Sequence, residues 1–392
     1  MTTAARPVAL ESRPEGVPDG SAAADFLATD LSGALDLAAR ATADDVDRAL
    51  RAPGRRSLTD LGALLSPVAA DRLEEMAQLA HAATVRRFGR VVRLFAPLYL
   101  SNECVSACTY CGFSAGNDIA RRTLSPAEVA AEARELTDRG FRHVLLVAGE
   151  HARIVSKDYL VDCVRALAPD VPSISLETQV WDTATYRRLV DAGCEGLAVY
   201  QETYDRGAYA AAHLKGKKRN YDWRLAAPDR GAEAGMRSLA VGALLGLHPD
   251  WRAEVLALAA HAQALVRRWW RCEVAVALPR LRPAAGDFTP ARPVDDGEYV
   301  QILCALRLAL PDVGITLSTR ESPSFRDAAF RLGVTQMSAG SHTEPGGYAE
   351  PGQAEPQFEV SDTRSPAEVA SALRDAGYDP VWKDTIGARS RP

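Results

Sequence analysis

The sequence predicts an α/β chain: a (β/α)8 barrel of the triosephosphate isomerase type, with a helical extension in front of it. Three observations carry that prediction. From Val91 onward, short Val-, Leu- and Ile-rich runs alternate with amphipathic helical patterns; the runs number eight; and most of them close on a polar residue. Strands joined by helical crossovers pair in parallel, and eight such units suit a sheet closed on itself, with its active site at the carboxyl ends of the strands.

Residues 1–22, rich in Pro, Gly, Ala and Ser and without periodicity, are expected to be a disordered tail, and 23–90 a helical extension. In the extension, ATADDVDRAL (41–50) and SPVAADRLEEMAQLAHAATVRRFG (66–89) repeat apolar residues at three-and-four spacing, so one face of each helix packs on the main body. The eight strands are read at 91–101, 142–150, 171–179, 196–203, 238–247, 272–281, 314–321 and 335–343. Between them, SPAEVAAEARELTDRG (125–140), TATYRRLVDAG (183–193), WRAEVLALAAHAQALVRRWW (251–270) and PSFRDAAFRLG (323–333) carry helix starts and stops. The barrel is assigned 91–378 and a C-terminal tail 379–392.

Forty-six Lys and Arg against 51 Asp and Glu leave a net charge of -5, which gives no general attraction to nucleic acid or anionic lipid. No apolar run approaches the ~20 residues of a membrane span, and the first residues lack the apolar core of a secretory signal, so a cytoplasmic protein is expected. Seven cysteines are an odd number, and three crowd into positions 104–111 while Cys163, Cys194, Cys272 and Cys304 are scattered. That distribution suits a metal site in a reducing compartment better than a disulfide framework.

Cys104, Cys108 and Cys111 follow the first strand in C-x3-C-x2-C spacing. Thiolates are soft ligands suited to iron–sulfur clusters, and a tight loop can wrap three of them around one cubane. A closed structural zinc site needs a fourth ligand, and neither Cys nor His recurs until His143. Three ligands on a [4Fe–4S] cluster leave one iron open. With the aromatic Tyr110 just before the third cysteine, the motif resembles that of the radical S-adenosylmethionine (SAM) superfamily, in which the amino and carboxylate groups of SAM occupy that iron.

Further strings are similar to one family within it, the 2-iminoacetate synthases, tyrosine lyases of bacterial thiamin biosynthesis. They are CTYCGFS, LLVAGE, VYQETY, HLKGKK, GALLGL, LPRLRP, LSTRESP, SAGS, EPGGY and PVWKD, and the resemblance covers the chain from about the first helical segment to Lys383. The resemblance implies a [4Fe–4S] cluster and SAM as cofactors and L-tyrosine as substrate. A 5'-deoxyadenosyl radical takes hydrogen from the amino group, and Cα–Cβ scission yields 2-iminoacetate (dehydroglycine) and 4-methylphenol. Thiamin thiazole synthase as recipient and a flavodoxin or ferredoxin as electron donor are the implied partners.

The strand ends supply the candidate site residues. A zwitterionic amino acid needs a fixed cation for its carboxylate, and Arg320, closing the seventh run, offers bidentate geometry. Ser338 and Ser341 close the eighth run as further donors, or as ordinary serines of a tight turn. Gly149 and Glu150 resemble the Gly-Glu segment that binds the SAM amino group; Glu202, beside Tyr200, Gln201 and Tyr204, is a candidate for ribose or phenol. Gln179, Arg280 and Arg282 are further cofactor candidates. Gly242 and Gly246 either admit an adenine edge or relieve crowding. Lys215, Lys217 and Lys218 form either a lid or a solvated basic loop.

Two other activities use the same thiolates. A radical tryptophan lyase would share the cluster, barrel and carboxylate-binding arginine, and a redox sensor would keep the cluster without turnover. The related tyrosine lyase of hydrogenase maturation carries a second cluster on C-terminal cysteines, whereas the last cysteine here is Cys304. Glu103 before the first cluster cysteine, and the sequence after Lys383, depart from the family pattern.

Overall fold

The computed structural model describes residues 16–382. Eight parallel strands form the barrel: β1 (Val91–Ser101), β2 (His143–Ala148), β3 (Ser173–Glu177), β4 (Gly196–Glu202), β5 (Ser238–Ala243), β6 (Glu273–Ala277), β7 (Gly314–Leu317) and β8 (Gln336–Ser338). Each pairs with the next in chain order, and Gln336–Ser338 of β8 returns to Arg93–Phe95 of β1, which closes the sheet. Each of these eight strands lies inside a run read from the sequence, and most are shorter, because Glu150, Gln179, Arg280 and Arg320 already belong to the loops, while Glu202 and Ser338 end their strands.

Local chemistry sets the helices between them. Ser125 with Glu128, Asp295 with Glu298 and Ser365 with Glu368 form reciprocal caps at three helix starts. Gly193 and Gly235 end two helices in the left-handed conformation that only glycine adopts without cost. No helix among the described residues is long and apolar enough to cross a membrane.

Helices Trp251–Arg268 and Asp296–Ala309 are buried along most of their length. Such all-round apolar helices need cover on both sides, and the extension supplies it: Ala22–Leu27 packs on the first and Leu73–Phe88 on the second. Residues 1–15 of the expected tail lie outside the described residues, but 16–22 do not behave as a tail. Val17 and Ala22 are buried, Ser21 caps the first helix, and the Asp229 carboxylate accepts from the amides of Ala22 (2.7 Å) and Ala23 (3.1 Å). Burial raises the Asp229 pKa, opposed by these amides and the Trp269 indole.

Asp379–Val381, read from the sequence as tail, forms a ninth strand, β9, parallel to Val91–Arg93 at the start of β1. The Trp382 ring meets Phe141 edge-on at 5.2 Å. Behind β8, the fully buried Arg326 pairs with the fully buried Asp362 and donates to the Ser338 carbonyl, anchoring the chain where it leaves the barrel.

Candidate active site

β1 delivers the chain into the cysteine loop at the carboxyl end of the barrel, and β2 holds that loop. The Gly149 amide donates to the Ser101 carbonyl (3.0 Å), and the Val105 amide donates to the Glu150 carbonyl (2.9 Å). A Cβ on Gly149 would lie 2.3 Å from the Glu103 carbonyl oxygen, so only glycine permits this approach. The Glu150 carboxylate accepts from Ser106 (3.1 Å) and Arg224 (3.3 Å). Arg121 donates to the carbonyls of Asn102, Phe113, Ser114 and Asn117, sewing the two ends of the loop together.

Cys104 and Cys111 pack against the rings of Tyr99 and Phe113, and Cys108 is buried in a short ribbon that pairs Ala107–Cys108 antiparallel with His213–Lys215. Burial pushes the Cys104 thiol up to about 11 and the Cys108 thiol up to about 12. Tyr110 reaches the other way, its hydroxyl 2.9 Å from His213 Nε2. Because His213 Nδ1 lies 2.8 Å from the Tyr209 carbonyl, Nδ1 carries the proton and Nε2 accepts from Tyr110. Burial drives the His213 pKa down to about 3, so the ring is neutral.

Glu202 closes β4 at φ 71, a left-handed conformation costly for a residue with a Cβ. Its carboxylate meets Lys218 Nζ at 2.7 Å and Arg224 at 3.8 Å. Burial alone would raise its pKa, but the two cations outweigh burial and hold it below the usual range. Of the three candidate lysines only Lys218 is turned inward; Lys215 and Lys217 are exposed. The HLKGKK segment lies against the cysteine loop: a Cβ on Gly216 would collide with Ser106.

Beneath the loop lies a cavity of about 640 Å3 of atom-free space, its open mouth included, walled by rings of Phe95, Tyr99, Tyr200 and Tyr299. Arg320, Ser338 and Ser341 all line it. The Arg320 guanidinium rests on the Phe358 ring at 3.3 Å and makes no hydrogen bond or ion pair among the described residues. Ser338 Oγ accepts from the Thr319 amide (3.1 Å), and the buried Ser341 hydroxyl has no partner among the described residues.

Other candidates are committed elsewhere. The strand turns away after Glu177, and buried Gln179 donates to the Val155 carbonyl (2.7 Å) outside the cavity. Arg280 is held by Glu321 (2.9 Å from Nε) and Asp296 (2.7 Å), beside the stacked Tyr299 and Phe325 rings, and Arg282 lies 3.8 Å from Glu359. A Cβ on Gly242 would meet the Ala277 carbonyl at 2.5 Å and the Tyr200 ring at 2.8 Å, so this glycine makes room for the protein's own ring. Gly246, at φ 110, serves a turn.

Residues 98–260 match the Radical SAM superfamily, and residues 277–379 the Biotin and Thiamin Synthesis associated domain. Among solved structures, the FeFe-hydrogenase maturase HydG from Carboxydothermus hydrogenoformans superposes with a TM-score of 0.82 at 34% identity, over 89% of this chain and 80% of that one. Methylornithine synthase, at a TM-score of 0.69 and 22% identity, over 86% of this chain and 97% of that one, shares the fold. The 2-iminoacetate synthases of Escherichia coli (strain K12) and Salmonella typhimurium are each 45% identical over 343 residues, 88% of this chain and 91% of theirs. The chain belongs to the 2-iminoacetate synthase family. With membership come the superfamily's cofactors, a [4Fe–4S] cluster and SAM.

The residues present fit that cluster in this family member. Three thiols share one loop, the wall beside them is apolar, and Gln357 Nε2 points at Cys111 Sγ from 3.6 Å. The other four cysteines are free thiols, and Cys163, Cys194 and Cys304 are buried.

Sequence reasoning missed three residues of the site. Arg224 sits in a short helix (Tyr221–Leu225) of the long β4–β5 connection, with no strand-end signal. Gln357 comes from a distant loop, accepting from the Tyr99 hydroxyl (2.7 Å). Glu177, the last residue of β3, was legible only with the strand boundary placed two residues earlier.

Proposed function

We propose that this protein cleaves the Cα–Cβ bond of L-tyrosine to 2-iminoacetate and 4-methylphenol, for thiamin thiazole formation. The observation that carries this reading is an unpaired guanidinium, Arg320, in an aromatic-walled cavity whose Tyr99, Val147 and Gln357 also pack against Cys104 or Cys111. Cys104, Cys108 and Cys111 hold the cluster, leaving one iron for SAM. When bound, cluster and SAM supply a hydrogen-abstracting 5'-deoxyadenosyl radical.

Arg320 takes the substrate carboxylate. Burial lowers its pKa, yet an arginine stays charged, and a desolvated fork lacking a protein partner favours a planar anion. The Ser341 hydroxyl, orphaned in the wall, donates beside it, as does Ser338, whose oxygen already accepts from Thr319 and whose proton is left over. Phe358 keeps the guanidinium plane in place, and the rings of the cavity exclude water. Glu150 and Glu202, bound to Arg224 and Lys218, form a charged rim next to the cysteine loop and supply the polar groups facing SAM. A product as hydrolysable as 2-iminoacetate calls for a receiving enzyme, thiamin thiazole synthase, and a flavodoxin or ferredoxin supplies the electron. An oxygen-sensitive cluster suits the reducing cytoplasm.

Anaerobic incubation of the cluster-loaded protein with SAM, reductant and either tyrosine or tryptophan tests the reading. Release of 4-methylphenol from tyrosine is expected; 3-methylindole-2-carboxylate from tryptophan, or intact SAM, would refute it. Arg320→Lys keeps the charge but loses the bidentate geometry, so tyrosine affinity by anaerobic calorimetry should fall about tenfold, the loss of roughly one charge-assisted hydrogen bond. Iron content should be unchanged.

A further inference from the structure

Among the described residues lining the cavity, only Arg320 and Glu177 carry a formal charge. Neither has a hydrogen bond or ion pair among the described residues, although every neighbouring strand-end ion does. Glu202 is taken by Lys218 and Arg224, Glu150 by Arg224 and Ser106, and Arg280 by Glu321 and Asp296. Holding a half-buried carboxylate and a half-buried guanidinium in an aromatic-walled cavity without partners costs free energy that a ligand of opposite charges offsets. One free cation and one free anion facing a common space are the complement of a zwitterion.

We propose that Glu177 binds the ammonium group of the amino acid whose carboxylate Arg320 holds, and accepts a proton from it. This rests on the tyrosine reading and deepens it. In the transfer an N–H bond breaks and an O–H bond forms, leaving a neutral amine and a neutral carboxylic acid, with no change of oxidation state. The nitrogen then presents the uncharged N–H from which a hydrogen atom is removed. Glu177 is suited to the task because it can hold a proton near neutrality. Burial and the negative charge of Glu202 raise its pKa to about 7, against the opposing pull of Arg320, Lys218 and Arg224. Tyr99, Tyr200 and Tyr299, the tyrosines of the same wall, stay protonated, since burial raises all three well above the ordinary phenol.

The test compares L-tyrosine with 3-(4-hydroxyphenyl)propanoate, which lacks only the amino group, binding to anaerobic cluster-loaded protein. Wild type should prefer tyrosine by roughly 10- to 100-fold, the worth of a charge-assisted contact. Glu177→Gln, which breaks no hydrogen bond within the protein, should abolish that preference while leaving SAM affinity unchanged. Glu177→Asp should restore part of it. Protons provide a second readout. With a pKa of about 7, Glu177 is mostly protonated at pH 6, so binding an ammonium should release about 0.9 proton there and about 0.1 at pH 8, whichever atom keeps the shared proton. Calorimetry in buffers of different ionisation enthalpy measures this, and Glu177→Gln should release almost none. A variant that keeps both the preference and the proton release overturns the assignment, as does one that loses SAM affinity with the preference intact. Wild-type protein that binds neither compound overturns the tyrosine reading itself, and the assignment with it.

Discussion

Cys108→Ala should reduce the iron content of the reconstituted protein to background and abolish SAM cleavage, with little change in the far-ultraviolet circular dichroism. The fold tolerates the change because the side chain makes no hydrogen bond and its main chain stays paired with His213. The cluster does not tolerate it. Burial favours the neutral thiol at this position, so thiolate character comes only with the metal, and two remaining sulfurs cannot fix a cubane. Because Arg320 and Ser341 stand on other elements, tyrosine binding should survive in the same variant. Iron analysis, Mössbauer spectra and calorimetry on one preparation separate the two halves of the site, and a retained cubane would remove Cys108 from the ligand set.

Arg224→Leu should destabilise the protein by about 3–5 kcal/mol, the range for removing one partner of a buried ion pair. The guanidinium faces Glu150 and Glu202 and donates to the Tyr200 carbonyl (2.7 Å), all at the rim of the cavity. Without it, two buried carboxylates share Lys218 alone. Arg224→Lys should recover only part of the loss, since an ammonium cannot reach three acceptors from one fixed plane. The deficit should shrink as pH falls through the carboxylate range, because protonation removes the uncompensated charge. Denaturant unfolding of the loaded protein at several pH values measures this, and equal stability of variant and wild type would show the network to be neutral.

The architecture was legible because each strand is a short apolar run bounded by turn residues and each crossover has caps, signals contained in a dozen residues. The cysteines, Arg320, Ser338, Ser341 and Glu202 were legible for a related reason: a barrel gathers its strand ends, so polarity at the close of a run becomes position in a common mouth. What sequence could not show was the choice of partners. Arg280 closes its strand as Arg320 does, but Glu321, the residue after Arg320, reaches across to neutralise Arg280 and leaves Arg320 free. Gln179 and Glu177 differ by two residues, and the end of the sheet between them sends one to a backbone carbonyl and the other to the cavity. Residues 16–22 look like tail in composition, and what fixes them, burial of Val17 and Ala22 and the distant Asp229 carboxylate, is invisible at that range.

The ribbon that ties Ala107–Cys108 to His213–Lys215 couples two segments about a hundred residues apart in the chain. Its amides cannot open singly without also releasing Gly216 from Ser106 and Tyr110 from His213. Hydrogen exchange should therefore find both turns within one cooperative opening unit, protected together when cofactor is present and exposed together when it is withdrawn. A label on either turn would then report how fully the other is assembled.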